Sequence, residues 1–382
     1  WEFLLVIIYG AMLSGQFNGS AIAQWGAEHW QEVAAFLRIR LPRPASHSTL
    51  RRALRYLDVE ALERIVAEYN QALDREEQTS GMVVGVDGQP LRGQAIDGKE
   101  VRGAGAHGAK LHLLSMVRHG SGVTLAQGEV GEKTNEIPAV PKLLAGRDLR
   151  GTVITLDALN TQRTTAEMII KQGGDYLMVV KENQPTLYAD IKAFFEGTFL
   201  PQEDDRDTYT YSNKDHGRLE TRTLTCSEGL NGYLDWPGVK QVAKRQCLRT
   251  VIGSGKASSE VTYTVTSVER RRAGARQLEA FWRGHWTIED RDHYVRDVTF
   301  HEDRCQMHKG NAPRALAALK NALLAALRHC GWENCAEAVR YYGAFACRAL
   351  AFLAGNASCQ GSAQATRGCP GLPYSVRGMT AT

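Results

Sequence analysis

The sequence predicts an α/β protein in which helices flank a mixed sheet, with an all-helical segment ahead of the sheet and a β-rich insertion within it. Three observations predict this. Apolar residues recur at helical spacing up to about residue 80, and from Gly81 the pattern shifts to short β-branched runs joined by glycines. Between Asn135 and Phe195 helix-like and strand-like runs then alternate, which is the signature of helices covering a sheet.

The helical segment, 1–80, opens with the apolar run Phe3 to Leu13, continues with Trp25 to Leu37 and resumes near Ser48. Ser46 or Ser48 offers an oxygen to cap the run Thr49 to Leu57, whose exposed side carries Arg51, Arg52 and Arg55. Either a small DNA-binding module or a helical cap on the next domain fits. The first part of a catalytic core, 81–197, is expected to hold strands at Met82 to Val86, Gly93 to Ile96, Leu111 to Val117, Val123 to Glu129, Thr152 to Leu156 and Tyr176 to Val180. Helices are expected at Asn135 to Leu144, Thr164 to Gln172 and Pro185 to Phe195. The insertion, 198–274, carries strand-like runs at Leu219 to Cys226, Val239 to Ile252 and Glu260 to Val268. Residues 275–354 read as helical, including the Ala/Leu-rich stretch Ala312 to Leu327, and 355–382, rich in Gly, Ser, Ala and Thr, reads as a poorly ordered tail.

Bulk properties narrow the classes. At 382 residues the chain exceeds one small domain, and a net charge of only +4 leaves any nucleic-acid surface to local concentrations of Lys and Arg. Between Lys214 and Lys256 eight basic residues face four acidic ones, which fits either a solvated sheet face or a surface that tracks DNA. The eight cysteines form no CxxC pair, so neither a zinc ribbon nor a secreted disulfide framework is indicated and a reducing cytoplasm is the simpler setting. The run Phe3 to Leu13 falls short of the roughly 20 residues that span a bilayer, so no membrane partner is expected.

Chemistry concentrates in three acids. Asp97 and Asp157 each follow an apolar strand-like run, where side chains leave a sheet for a cleft, and Glu289 lies in a helical stretch rich in Trp, His and acid. Such an oxygen cluster suits Mg²⁺ or Mn²⁺, and a pair of these ions can activate a water or a 3′-hydroxyl and stabilise the leaving oxygen of an in-line phosphoryl displacement. Asp87, in an imperfect copy of the Asp97 string, is the rival first acid and otherwise a turn residue before Pro90; Asp297 is the second choice for the third. His285, Glu289 and His293, followed by His301, Cys305 and His308, would compose a zinc site, although their spacing fits no common zinc motif.

Five strings occur in order: Ile96 to Gly103, Lys133 to Pro138, Lys181 to Leu187, His216 to Arg222 and His285 to Glu289. Together they closely resemble the H-repeat-associated group of insertion-sequence transposases of the DDE class, over a span from the N-terminus to roughly Leu327. The resemblance implies an RNase H-like five-stranded core in which the strand of the first acid lies beside that of the second. Spacings of 60 residues from Asp97 to Asp157 and 132 from Asp157 to Glu289 suit such a core interrupted by the β-rich insertion. It also implies catalytic and metal-holding roles for Asp97, Asp157 and Glu289, with double-stranded DNA (the element's terminal repeats and its target) as partner, a homodimer on paired ends, and a cytoplasmic, nucleoid-associated setting.

Related transposases carry Tyr, Arg, Glu and Lys on one helix; the corresponding positions here hold Trp282, His285, Glu289 and Arg296. Trp282 is expected to stack on a displaced base, and Arg296 to contact phosphate. Lys99, Arg102, Lys181, Asn183, Gln184, His216, Arg218 and Arg222 complete the candidate DNA contacts. For Lys181, Asn183 and Gln184 a helix-capping loop fits equally, and for Arg218, Glu220 and Arg222 an interstrand salt-bridge ladder. The expected function is metal-dependent strand cleavage and strand transfer at element ends. The alternatives are a metal-dependent nuclease without strand transfer, or an inactive remnant that only binds DNA, favoured by a start at Trp1 rather than Met and an atypical C-terminal end.

Overall fold

The computed structural model describes residues 1–76, 80–102, 111–131, 135–197, 205–215 and 217–355. The tail expected at 355–382 therefore lies, beyond Gly355, outside the described residues, as does His216.

Helices α1 (Glu2–Leu13), α2 (Gly19–Glu28), α3 (Trp30–Leu37), α4 (His47–Tyr56) and α5 (Val59–Glu76) come first. Ser46 caps α4 by accepting the Thr49 N–H at 3.1 Å. Every residue of α1 from Leu5 to Leu13 is buried, because the C-terminal helices α10 (Ala312–His329), α11 (Cys335–Gly343) and α12 (Ala346–Leu353) close over it. The first and last helices of the chain thus share one apolar core. No helix among the described residues is long and apolar enough to cross a membrane.

The strands are β1 (Met82–Val84), β2 (Pro90–Val101), β3 (Leu111–Arg118), β4 (Thr124–Val130), β5 (Thr152–Leu156), β6 (Asp175–Val180), β7 (Asp207–Asp215), β8 (Arg218–Ser227), β9 (Gln241–Val251) and β10 (Ala257–Thr266). All ten belong to one sheet ordered β4-β3-β2-β5-β6-β10-β9-β8-β7, with β1 paired to the start of β2. The sheet is thus twice as wide as the five strands expected. The β-rich insertion does not stand apart: β10 pairs antiparallel with β6 and carries the same sheet onward. Within it, β2-β5 and β5-β6 pair parallel, while β2-β3 and β3-β4 pair antiparallel.

One face of the sheet, from Ile96, Ile154, Leu156, Tyr176 and Met178, packs under α6 (Ala139–Leu144), α7 (Arg163–Lys171) and α8 (Pro185–Phe195). The alternate residues Leu91, Val153 and Leu177 meet Leu278, Phe281 and Trp282 of α9 (Ala275–His285) on the other face. The helix expected from Asn135 begins only at Ala139, since Pro138 disfavours helical backbone in the residue before it. Strand β7 was not anticipated because its half-buried side offers only Tyr209 and Tyr211 and no aliphatic residue. It is a polar edge strand tied to β8 by hydroxyl pairs Thr208–Thr225, Thr210–Thr223 and Ser212–Thr221 at 3.0, 3.0 and 2.7 Å.

Candidate active site and metal centre

Asp97 lies inside β2, not beyond its end, because β3 keeps pairing with β2 as far as Val101. On the other side of β2 the parallel partner β5 stops at Leu156, and this early end opens the sheet beside Asp97. The register pairs Ile96 with Leu156, and the chain leaves β5 at Asp157, which is not among the residues whose ligand atoms gather around Asp97. Asp97 follows Ile96 of the α6–α8 face and therefore belongs to the face covered by α9. Asp87, by contrast, sits in the turn between β1 and β2, where its Oδ1 accepts the Gln89 N–H at 3.0 Å.

The chain beyond α9 stays on that face. It continues as two π-helical turns, Ile288–His293 and Val295–Thr299, and Ile288 packs on Ala95 and Val117 of the sheet. Glu289 follows at once, and ligand atoms of Asp97, Glu289 and His293 all lie within 4.8 Å of one another. Burial, a hydrogen bond with Glu289 and the charges of Glu289 and Glu136 push the Asp97 carboxyl up to about 8, against the opposing pull of the Gly98 N–H. Glu289 moves down, chiefly through its hydrogen bond with His293. The pair therefore holds one proton into the neutral range, with Asp97 as its carrier. Two carboxylates crowded this closely, with an imidazole at their edge, form a donor set that a hard divalent cation would relieve; oxygen suits Mg²⁺ and the nitrogen is tolerated by Mn²⁺.

The zinc grouping does not assemble. Glu289 and His293 meet, but His285 turns its Nδ1 to the Thr155 hydroxyl at 3.0 Å, and burial lowers its pKa. Asp297, the second choice for the third ligand, is taken by Lys99, whose Nζ lies 2.5 Å from its Oδ1.

Several residues expected at DNA are turned inward. Lys99 is buried by that ion pair. Trp282 is buried in the α9 core with the Arg245 guanidinium 5.2 Å from its ring centre, so it has no free face for a base. Arg296 is fully buried, donating to Glu302 at 2.6 Å and lying 3.5 Å from Asp292, so phosphate cannot reach it. Lys320 also meets Glu302, at 3.5 Å. Burial opposes charge on these groups, yet Arg296 and Lys320 hold the Glu302 carboxyl down at about 2. The network anchors the π-helical turns to α10.

Others remain outside. Arg102 and Lys181 are exposed, although Arg102 meets Asp303 both through its backbone N–H, which donates at 3.1 Å, and through its guanidinium at 3.9 Å. Asn183 and Gln184 donate to the carbonyls of Ala158 and Thr161 at 2.6 and 2.9 Å, tying their loop to the segment after Asp157. Arg218 is exposed, whereas Arg222 joins Glu220, Arg249 and Glu260 in a ladder across β8, β9 and β10. Sequence reasoning missed Trp286 and Tyr294, exposed aromatics on either side of Glu289. It also gave no role to Glu136, although Glu136 lies in one of the five strings.

Residues 82–327 match the family described as "Transposase DDE domain". The chain belongs to that family. Among its relatives in Escherichia coli, the transposase is 29% identical over 326 residues to YbfL of strain K12, spanning 83% of this chain and 82% of the relative. It is 30% identical over 320 residues to "Putative transposase YncI" of strain O157:H7, spanning 80% and 79%. It is 33% identical over 247 residues to "H repeat-associated putative transposase YhhI" of strain K12, spanning 63% and 62%. These matches make it an insertion-sequence transposase of the H-repeat type. The family implies use of a divalent metal, and the Asp97–Glu289–His293 grouping is where this transposase has donors for one.

Proposed function

We propose that this transposase cleaves DNA at the ends of its element and joins the released 3′ ends to a target, with Asp97, Asp157 and Glu289 as its catalytic acids. The observation that carries the proposal is the meeting of Asp97 with Glu289, 192 residues apart in the chain, at the end of β5 where Asp157 emerges. The run β4-β3-β2-β5-β6, antiparallel and then parallel, supports reading these strands as an RNase H-like core, with β7–β10 as its insertion.

In this reading Asp97 and Asp157 bind from the sheet and Glu289 closes the site from the helical side. Divalent metal, when bound, would lower the pKa of a coordinated water and offset charge on the leaving oxygen. Asp97 releases its retained proton as the site fills. His285, kept neutral by burial, orients its ring through Thr155. Trp286 takes the stacking role first expected of Trp282, and Arg102, Lys181 and Arg218 supply phosphate contacts. A cleft between α4 and the segment Met307–Ala312, lined by Arg51, Arg52, Arg55 and Lys309, is a further place for a phosphate backbone, which gives the helical segment 1–80 its DNA-binding part. The active form is a homodimer on paired ends, working on the nucleoid.

The test is nicking of terminal-repeat DNA in Mg²⁺ by the wild-type chain and by Asp157→Ala. Cleavage lost in the variant, and joined products when target DNA is added, are expected. Binding without cleavage by the wild-type chain would make it an inactive remnant, and cleavage without joining a nuclease.

A further inference from the structure

Glu136, in the bend before α6, is buried although it belongs to no catalytic set. It fills a slot at Gly98, where an added Cβ would stand 2.1 Å from Glu136 Oε1 and 2.5 Å from His112 Nε2. One Glu136 oxygen faces His112 Nε2 at 3.1 Å, and the other accepts from the Asn160 amide at 2.8 Å. That same amide donates to Asp157 Oδ1 at 3.0 Å, and so does the Asn160 backbone N–H, also at 3.0 Å.

The consequence is directional. Asn160 directs both its backbone N–H and one amide hydrogen to the same Asp157 oxygen, Oδ1, and neither of these bonds engages Oδ2. The amide cannot be turned over, because its oxygen would then face two carboxylates. Asn160 is fully buried, and its own Oδ1 has no partner among the described residues.

We propose that Glu136 and Asn160 are positioning residues: Glu136 fixes the Asn160 amide, and the amide holds one oxygen of Asp157 so that the other is presented to a divalent cation. This rests on the catalytic reading of Asp157 given above. Partners that orient metal-holding carboxylates typically contribute about 10- to 100-fold in affinity.

The test is Mn²⁺ binding to the full-length chain without DNA, followed by electron paramagnetic resonance, for wild type, Asp157→Asn, Glu136→Gln, Asn160→Ala and the double variant Glu136→Gln/Asn160→Ala. Thermal melting in chelator confirms that each is folded. Asp157→Asn is expected to lose a Mn²⁺ site, Asn160→Ala to weaken it by about tenfold or more, and Glu136→Gln by about threefold. The double variant should bind no worse than Asn160→Ala, because Glu136 acts through Asn160. Wild-type affinity in Asn160→Ala, with the site lost in Asp157→Asn, overturns this proposal and leaves the catalytic reading standing. Additive losses, or a loss in Glu136→Gln as deep as in Asp157→Asn, make Glu136 a ligand in its own right and also overturn it. Unchanged binding in Asp157→Asn removes both.

Discussion

Lys99 lies two residues beyond Asp97 on β2, and its ammonium meets Asp297, eight residues beyond Glu289, at 2.5 Å. The ion pair therefore pins the helical segment that carries Glu289 to the strand that carries Asp97. The Lys99 side chain is 5% exposed and that of Asp297 31%, so removing the acid strands a charge in a largely dry place. Asp297→Asn is expected to cost about 3 kcal/mol in urea unfolding. Cleavage should fall further than the folded fraction does, because the Asp97–Glu289 separation loosens. A variant that keeps full stability and activity would show the pair to be incidental.

The proton held by Asp97 gives the metal-free transposase a signed pH dependence. Its carboxyl titrates near 8 when folded against 3.8 as an ordinary value, so between these the folded chain binds a proton that the unfolded chain releases. This contribution to stability is fully present below the ordinary value and is lost as pH rises through the folded one. Melting in chelator should accordingly fall between pH 5 and pH 8, and Asp97→Asn should flatten that slope. Mg²⁺ should raise melting more at pH 8 than at pH 5, since binding displaces the proton.

Glu302 supplies the opposite sign. Held at about 2 against an ordinary 4.5, its carboxylate contributes stability that is present above the ordinary value and lost as pH falls toward 2. Arg296→Met leaves Glu302 and Asp292 buried without their guanidinium and is expected to cost about 3–5 kcal/mol. Denaturant midpoints at pH 7 and pH 3 check both statements: the variant should be weaker at pH 7 and should lose less than wild type on acidification.

Of the basic residues first placed at DNA, only some should register in binding. Arg102→Ala, Lys181→Ala and Arg218→Ala are each expected to weaken binding to terminal-repeat DNA and to reduce the salt slope by about 1. Arg222→Ala should leave the slope unchanged, because its guanidinium is engaged by Glu220 and Asn213. Equal slopes for all four variants would contradict the division between the exposed side chains and the enclosed Arg222.

The contrast shows what the sequence could carry. The strands that carry Asp97 and precede Asp157 were legible because each is an apolar run, although β2 continues past Asp97 to Val101. The approach of Glu289 to Asp97 has no local signal, and His293 joins them without having been placed there. Trp282 and Arg296 were placed at DNA from their positions in the family set around Glu289, and such a count carries no information on burial: Trp282 packs in the α9 core and Arg296 is enclosed by Glu302 and Asp292. Glu136 had no local signal at all: only the folded chain brings it to Gly98 and Asn160. Strand β7 has only Tyr209 and Tyr211 on its half-buried side and no aliphatic run to announce it.

The continuation of the sheet from β6 into β10 has an outcome for engineering. Tyr263 to Thr266 of β10 occupy the hydrogen-bonding groups of β6 that would otherwise line the border of the parallel strands. Excising β7–β10 to obtain a smaller protein would bare that border along Leu177 to Val180, an apolar template for strand addition from another molecule. A trimmed chain would precipitate unless the β10 strand were kept as a selvedge.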